Sequence, residues 1–359
     1  MGALTSREGE SEERRQIVLA VRQFVDKSLI PIAAGHDAVG RYPAPIVAEL
    51  AELGVLGALV DPERGGLGLD LVATAMVLEE LARGWTTPAA AVAGHLLATW
   101  AIERFAGAGE REAQLPVLAR GERLATTVLG GRITARREGG RWVLDGETSL
   151  ADNAPRADRF LVRAQAGPGQ RLLALVERGA RGLVVGEPEA TIGSRGLDPA
   201  ALRLTTTPAA LVLDDDDALL GVASVAAAAI AVGVAQAAFE AALRYSQQRT
   251  TFGKPLCQHQ AVQLKLADMA TAITAARLLT EHAAAGEPFD PAAGMQARLA
   301  AAQAAADATL ESMRIHGGYG YVSEFPVERF YRDAARLSFV PLDDETLRAH
   351  IAARLVPAS

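Results

Sequence analysis

Residues Arg249 to Gln260 read RTTFGKPLCQHQ and interrupt two long, alanine-rich segments with helical periodicity. This loop carries one arginine, one aromatic ring, one glycine and a His-Gln pair. An arginine at the end of a helix can pair with phosphate oxygens through two parallel hydrogen bonds. Phe252 offers a flat face to a ring system, and Gly253 lets a ligand approach the backbone closely. The alternative is an ordinary connection between helices in which Arg249 is a solvated surface charge.

The run from Arg249 to Pro255 resembles the Arg-x-x-Phe-Gly-x-Pro signature of the acyl-CoA dehydrogenase family. The resemblance continues through Gln260 and the run QLKLADM at 263–269. A second motif of the family follows as IHGGYGY at 315–321, and then FPVER at 325–329. Two such motifs in the right order extend the resemblance over nearly the whole chain, with gaps in its middle and at its C-terminus.

The resemblance implies FAD as the cofactor, because family members hold FAD across a subunit interface with the arginine near its pyrophosphate. It also implies an oligomer, either a homo-oligomer or a heteromer with a full-length acyl-CoA dehydrogenase paralogue. Arg314 stands where the family has a glutamine. From the residues alone, His259 also fits a polar position at a helix start, and Gly317 and Gly318 fit a helix C-cap and turn. The residues that the resemblance assigns to FAD binding are Arg249, Thr251, Phe252, His259, Gln260, Arg314, Gly317 and Gly318.

Outside these motifs, hydrophobic periodicity divides the chain into three segments. Residues 1–118 have a helical period, and Pro31 is predicted to end the first helix. Residues 119–217 change to short runs of period two, including two strands around Gly139-Gly140. Residues 218–359 return to the helical period and fit an antiparallel bundle. The predicted fold class is α+β multidomain: an N-terminal all-α domain, a middle β-barrel or sandwich, and a C-terminal four-helix bundle, which is also the architecture of the family.

Composition limits the classes of function. The chain has 359 residues and a formal net charge of −7 at pH 7, which argues against a nucleic-acid binder. Cys257 is the only cysteine, so an internal disulfide is excluded and a cytoplasmic protein is favoured. The charged N-terminus lacks the apolar core of a secretory signal. The nearly uncharged segment 222–243 fits a central bundle helix better than a membrane span.

The chemistry that the resemblance implies is α,β-dehydrogenation of an acyl thioester, borne either by coenzyme A or by an acyl-carrier protein. A carboxylate removes the α-proton, and the β-hydride passes to FAD. The carboxylate needs a pKa that a water-poor pocket raises towards neutrality, since an ordinary carboxylate is too weak a base.

The position of this base departs from the family. The family's Tyr-Glu-Gly-Thr phrase corresponds to residues 339–346, which read FVPLDDET. An ungapped alignment from the C-terminal side places Leu342 at the base. A short deletion instead brings in Asp343, Asp344 or Glu345 as candidate catalytic residues. The same three carboxylates also fit a helix N-terminus, with one of the aspartates as N-cap and the glutamate in the first turn, and this second interpretation is preferred.

Two further parts of the family site are altered. Ala223 occupies the alternative position of the base on the first bundle helix, and Ser224 follows where many members have an arginine. The Thr-Glu-Pro-x-Ala-Gly-Ser-Asp loop that holds the flavin ring in the family is missing from residues 127–132, TVLGGR. The family's Trp-Ile-Thr-Asn phrase is represented by LADN at 150–153. What survives is the part of the site that, in the family, faces the FAD of a neighbouring subunit. We call this part the half-site; it consists of Arg249, Phe252, His259, Gln260, Gly317 and Gly318.

Three functions are therefore compatible with the sequence. The first is an FAD-dependent acyl thioester dehydrogenase with an unusual base. The second is a non-catalytic partner subunit that completes the FAD site of a full-length paralogue. The third is a flavin-free biosynthetic protein that uses the same fold to bind acyl groups. A fold does not choose between them, and the missing base and loop favour the second.

Overall fold

The fold was analysed in a computed structural model, which describes residues 12–214 and 217–356. Its N-terminal part is helical, and Pro31 does not end the first helix as predicted. A π-helical turn, Val25–Leu29, instead joins α1 directly to α2, with the proline in the first turn of α2, where no backbone N–H is needed. The helices are α1 (Glu12–Phe24), α2 (Ile30–Val39), α3 (Ala44–Glu52), α4 (Leu71–Gly84), α5 (Thr86–Phe105) and α6 (Ala108–Ala119).

The middle of the chain forms one eight-stranded sheet with the order β6-β7-β3-β2-β4-β5-β8, in which β1 pairs with β4 in parallel. Gly139 and Gly140 both have positive φ angles, 57° and 80°, as the tight turn between β2 and β3 requires. Only Leu129 and Gly130 join β1 to β2. The strands are β1 (Ala125–Val128), β2 (Gly131–Glu138), β3 (Arg141–Thr148), β4 (Arg159–Gly167), β5 (Gln170–Glu177), β6 (Leu183–Val185), β7 (Leu202–Pro208) and β8 (Leu211–Asp214).

The C-terminal part is a helical bundle built around one buried helix, α7. Gly233 of α7 lies so close to α4 that a Cβ atom there would sit 2.2 Å from the Glu79 carbonyl oxygen. Length and composition would let α7 cross a membrane, but 89% of its apolar window is buried inside the protein. The elements are α7 (Ala218–Gln248), β9 (Thr250–Thr251), β10 (Lys254–Pro255), α8 (Gln260–Ala285), α9 (Pro291–His316), α10 (Val327–Arg336) and α11 (Asp344–Leu355).

This order of elements confirms the predicted fold class, a helical N-terminal part, a central β part and a C-terminal helical bundle. The largest hydrophobic core runs through the helices of both helical parts, whereas the sheet has a core of its own around Phe160 and Leu144. An apolar cavity lies where the three parts meet.

Candidate active site

An apolar cavity of about 480 Å³ lies where α5, β1, α7 and the segment after α10 meet. This size suits a small organic ligand. Most of its wall consists of aliphatic or small side chains, so it favours the apolar part of such a ligand. Representative lining residues are Ala93, Leu97, Ala223, Ala227, Ile230 and Phe339.

The charged side chains of this wall are Asp152, Arg332 and Arg336. Arg336 donates a hydrogen bond to Asp152 in an ion pair whose side chains are 16% and 24% exposed. Arg332 is already bound, to Asp37 at 2.6 Å and to Glu328 at 2.7 Å. Asp152 is therefore the one carboxylate among the described lining residues, and Arg336 engages it.

Sequence reasoning missed this pair. Asp152 lies in the LADN segment, which was noted only for the residues that it lacks. Arg336 follows the family-like run after Phe325, but no motif marked it. No pattern in the sequence around Asp152 indicates its partner, which lies 184 positions away.

Neither expected position of the base carries a carboxylate. Ala223 lines the apolar cavity, as the sequence alignment implied, and offers only a methyl group. Leu342 lines a second, neighbouring cavity next to Gly130. A hydrocarbon cannot accept a proton, so these two positions contribute shape and not acid–base chemistry.

The three candidate carboxylates after Leu342 do not line the apolar cavity either. Asp343 is the N-cap of α11 and accepts hydrogen bonds from the Thr346 backbone at 2.9 Å and from its hydroxyl at 2.7 Å. These bonds hold the pKa of the Asp343 carboxyl below its ordinary value. Asp344 pairs with the Arg298 guanidinium, and Glu345 is exposed in the first helical turn. The geometry is that of a capped helix start.

Arg298 fixes the segment that passes the cavity. Its side chain is only 1% exposed, and it donates to the Val340 carbonyl oxygen at 2.8 Å and to that of Leu342 at 3.1 Å. A third hydrogen bond reaches Asp344. Since one buried guanidinium holds all three residues, the position of this segment relative to the cavity is set from α9.

The sequence-predicted half-site lies at the other end of the bundle. The turn between β9 and β10 has positive φ angles at Phe252 (48°) and Gly253 (79°), and the Phe252 side chain is 98% exposed. His259 Nε2 lies 3.3 Å from both the hydroxyl and the carbonyl oxygen of Thr251, which couples the turn to the start of α8. The Arg249 side chain is exposed and has no ion pair within residues 12–214 and 217–356.

The second motif meets the first through an aromatic stack. Tyr245, near the end of α7, stacks on His316 at the end of α9, with ring centroids 4.2 Å apart. Gly317 and Gly318 follow directly and leave open space around their α-carbons. Arg314 is exposed and pairs with Glu311, which also binds Lys265. Gln260 starts α8 at this same end, so the structure brings the eight predicted residues to one end of the bundle.

The half-site lies far from the apolar cavity of the same chain. The cavity touches α7 only between Ala223 and Ile230. At 1.5 Å per residue, Arg249 lies about 30 Å further along the helix. The predicted FAD-binding residues and the apolar cavity are therefore separate parts of the molecule.

The described residues hold no group of three or more His, Cys, Asp or Glu side chains that could bind a metal ion. His95 and His316, which are buried, instead hydrogen-bond to backbone oxygens of Leu118 and Ser312. Burial lowers the pKa of both imidazoles, so both suit a neutral, structural role.

Comparison with known proteins shows the family of the chain. The sequence models of the acyl-CoA dehydrogenase N-terminal and C-terminal domains match residues 11–122 and 217–356. The human mitochondrial short-chain specific acyl-CoA dehydrogenase is 32% identical over 383 aligned residues, which cover 96% of this chain and 90% of that protein.

Solved structures extend the similarity to the whole fold. Butyryl-CoA dehydrogenase from Megasphaera elsdenii superposes with a TM-score of 0.91 at 27% identity, over 97% of this chain and 99% of that one. The prolyl acyl carrier protein oxidase AnaB gives a TM-score of 0.88 at 25% identity, over 96% of this chain and 99% of that one.

Proposed function

Because the chain belongs to the acyl-CoA dehydrogenase family, we propose that it binds an acyl thioester in the apolar cavity and acts as the non-catalytic partner subunit of an FAD-dependent dehydrogenase. The main support for this proposal is the wall of the cavity, which lacks a carboxylate at the expected positions of the base. Ala223 stands at one position of the base, Leu342 lies outside the cavity, and Asp152 is engaged by Arg336. Removal of an α-proton needs a general base, and the described residues that line the cavity include no free carboxylate to act as one.

The residues of the half-site fit FAD supplied from a neighbouring subunit. The Arg249 guanidinium has no ion pair among the described residues and suits the two parallel hydrogen bonds of a phosphate group. Phe252 is fully presented to solvent and offers a ring face for stacking. When bound, FAD supplies the hydride acceptor. Arg249 would hold its pyrophosphate, and Phe252 would pack against it.

The flavin-ring side of the chain's own cavity fits FAD less well. Leu129 and Gly130 are the whole connection between β1 and β2, so this connection has at most two backbone N–H groups to offer a flavin ring. The chain therefore keeps the half-site for the FAD of a neighbouring subunit, but the β1–β2 connection that would hold FAD in its own cavity is shortened. This asymmetry favours a heteromer with a full-length paralogue over a homo-oligomer.

The bundle also carries apolar side chains suited to packing against another subunit. Leu264 and Leu278 of α8 are both 60% exposed, and the half-site begins next to the same helix. Exposed apolar side chains in such a position favour a protein interface.

The carrier of the acyl group in this proposal is coenzyme A or an acyl-carrier protein. The human relative and the butyryl-CoA dehydrogenase are named for coenzyme A thioesters, and AnaB is named for a carrier-bound prolyl group.

The test is the flavin content of the purified protein. We expect the chain to purify alone with little FAD, and to purify with stoichiometric FAD when it is co-expressed with a full-length family member that binds it. Absorbance at the flavin band, after heat release of the cofactor, measures this. A chain that carries stoichiometric FAD alone and oxidises butyryl-CoA would contradict the proposal.

A second candidate function follows from Asp152. As the one carboxylate among the described lining residues, it is the group that would act as base if the isolated chain were a dehydrogenase. Asp152→Asn distinguishes the two functions. The substitution abolishes turnover if Asp152 is the base, and it leaves a background rate unchanged if the chain is a partner subunit.

A further inference from the structure

A small chamber adjoins the apolar cavity on the side of the helices, between α4, α5 and α7. We call this space the deep chamber. It holds about 20 Å³, enough for one group the size of a water molecule. Three side chains line both the chamber and the apolar cavity, namely Ala93 and Leu97 of α5 and Ala226 of α7. The end of a ligand in the apolar cavity therefore faces the deep chamber across these three side chains.

The deep chamber contains one polar group. Thr74 of α4 is the one polar side chain among the described residues of its wall, and the others are leucine, valine or alanine. Thr74 is only 4% exposed, and its hydroxyl has no hydrogen-bond partner within the described chain. A buried hydroxyl without a partner costs free energy, which a bound group that supplies the partner recovers.

Other buried threonines in the helices of this chain satisfy their hydroxyl groups from the backbone. Thr280 of α8 and Thr309 of α9 each donate to the carbonyl oxygen four residues earlier, at 2.8 Å. The Asp70 carbonyl oxygen has the same spacing from Thr74 and accepts its backbone N–H at 3.0 Å, but the Thr74 hydroxyl makes no bond to it. This hydroxyl is therefore available to a group that enters the chamber.

A single water molecule fits the deep chamber by size but not by chemistry. Buried waters make about three hydrogen bonds, whereas the side chains of this wall offer a partner only at Thr74. An oxygen atom at the end of a larger apolar ligand needs fewer polar partners, because apolar contacts hold the rest of the ligand. The chamber thus suits a ligand oxygen better than a free water.

The wall also restricts the charge of the group that enters. Its described residues include no acidic, basic or histidine side chain. A carboxylate or an ammonium group would lose its hydration there without gaining a counter-ion. A neutral hydroxyl or carbonyl oxygen, by contrast, needs only the hydrogen bond that the Thr74 hydroxyl can donate or accept.

We propose that Thr74 is a specificity-determining residue, whose hydroxyl hydrogen-bonds to a neutral oxygen at the far end of the acyl group in the apolar cavity. The preferred acyl group therefore ends in a hydroxyl or a carbonyl and is not a plain hydrocarbon chain. Two of the three shared side chains are alanines, so Leu97 is the largest side chain between the cavity and the chamber. The inference rests on the proposed function for the thioester end of the ligand.

Pairs of ligands that differ in one group test this inference. The full chain is titrated calorimetrically with 4-hydroxybutyryl-, 5-hydroxypentanoyl- and 6-hydroxyhexanoyl-pantetheine, and with the matching thioesters in which a methyl group replaces the hydroxyl. Butyryl-pantetheine is the unsubstituted reference, and none of these ligands carries a phosphate. We expect the hydroxyl member of at least one pair to bind about tenfold more tightly, as for one neutral hydrogen bond.

Thr74→Val replaces the hydroxyl with a methyl group of similar size. In this variant the hydroxyl member should bind about tenfold more weakly than to the wild type, and the methyl member equally well or better. Since the lost hydroxyl has no partner in the free protein, the melting temperature of Thr74→Val should equal or exceed that of the wild type.

Thr280→Val is the matched control. The Thr280 hydroxyl is buried and bonded to the Ala276 carbonyl oxygen, and the residue lies outside both the cavity and the chamber. Its substitution should lower the melting temperature and leave the preference for the hydroxyl ligand as in the wild type.

Equal binding of both members of every pair by the wild type, or a preference that survives in folded Thr74→Val, overturns the inference. Failure of the proposed function has a different signature. In that case no pantetheine thioester binds, while 1-butanol, which has no thioester, still binds more tightly to the wild type than to Thr74→Val in an NMR titration. If 1-butanol also fails to distinguish the two proteins, the role of Thr74 is overturned as well.

Discussion

Arg249 shows what a single residue contributes to this account. It was recognised from the sequence because it stands in a contiguous motif, and the structure leaves its guanidinium exposed at the helix end. Arg249→Lys keeps the charge but loses the bidentate geometry, so we expect FAD affinity in the assembled complex to fall about tenfold. Flavin fluorescence titration measures this, with Arg244→Lys, an exposed arginine on α7, as the control. Equal affinity of both variants would remove Arg249 from the FAD site.

His95 illustrates a residue whose role only burial reveals. Its Nδ1 accepts the Ala125 N–H at 3.0 Å, so Nε2 carries the proton and donates to the Leu118 carbonyl oxygen at 3.1 Å. Burial lowers its pKa from 6.5 to about 4. Between pH 6.5 and pH 4, His95 is therefore protonated in the unfolded chain but neutral in the folded chain. The stability from a neutral His95 is therefore complete above pH 6.5 and is lost as the pH falls towards 4, by about 3 kcal/mol.

Urea unfolding at pH 7, 5.5 and 4.5 checks this prediction. His95→Gln should unfold more easily at pH 7 but lose less stability on acidification than the wild type. His282→Gln, on an exposed histidine of α8, should follow the wild-type pH dependence. If His95→Gln keeps the full wild-type slope, another group is responsible.

At the scale of elements, the sequence correctly predicted the turns and helix starts that depend on neighbouring residues alone. The glycines at 139–140 marked the β2–β3 turn, and the acidic run before Thr346 marked the start of α11. Pro31 misled because a proline is also favourable in the first turn of a helix, and the π-helical turn before it keeps the chain helical. That turn has no signature in the sequence.

Asp343 provides a test at this scale. Asp343→Ala removes the N-cap of α11, so we expect a loss of about 1 kcal/mol in unfolding free energy. The binding of butyryl-pantetheine should not change, because Asp343 does not line the apolar cavity. Glu345→Ala, in the exposed first turn, is the control and should cost less. Unchanged stability would contradict the capping role. If the isolated chain proved to be an active dehydrogenase and Asp343→Ala abolished that activity, Asp343 would be the base.

At the scale of the whole molecule, the half-site could be predicted from the sequence, whereas the two cavities could not. The half-site comes from two contiguous motifs, and Tyr245 and His316 stack to join them. The two cavities draw on all three parts of the chain through isolated positions, such as Asp152 and Arg163, that carry no local pattern. Their chemistry depends on strand register and on long-range ion pairs, which a single sequence does not specify.

The central claim is that this chain accommodates an acyl thioester but does not itself dehydrogenate it. The most direct measurement is anaerobic bleaching of the flavin band when butyryl-CoA is added to the isolated chain supplemented with FAD. Since loss of a general base alone costs about 10²–10⁴-fold in rate, the account predicts bleaching no faster than in a solution of free FAD. Bleaching within the mixing time, with formation of the 2-enoyl product, would contradict it.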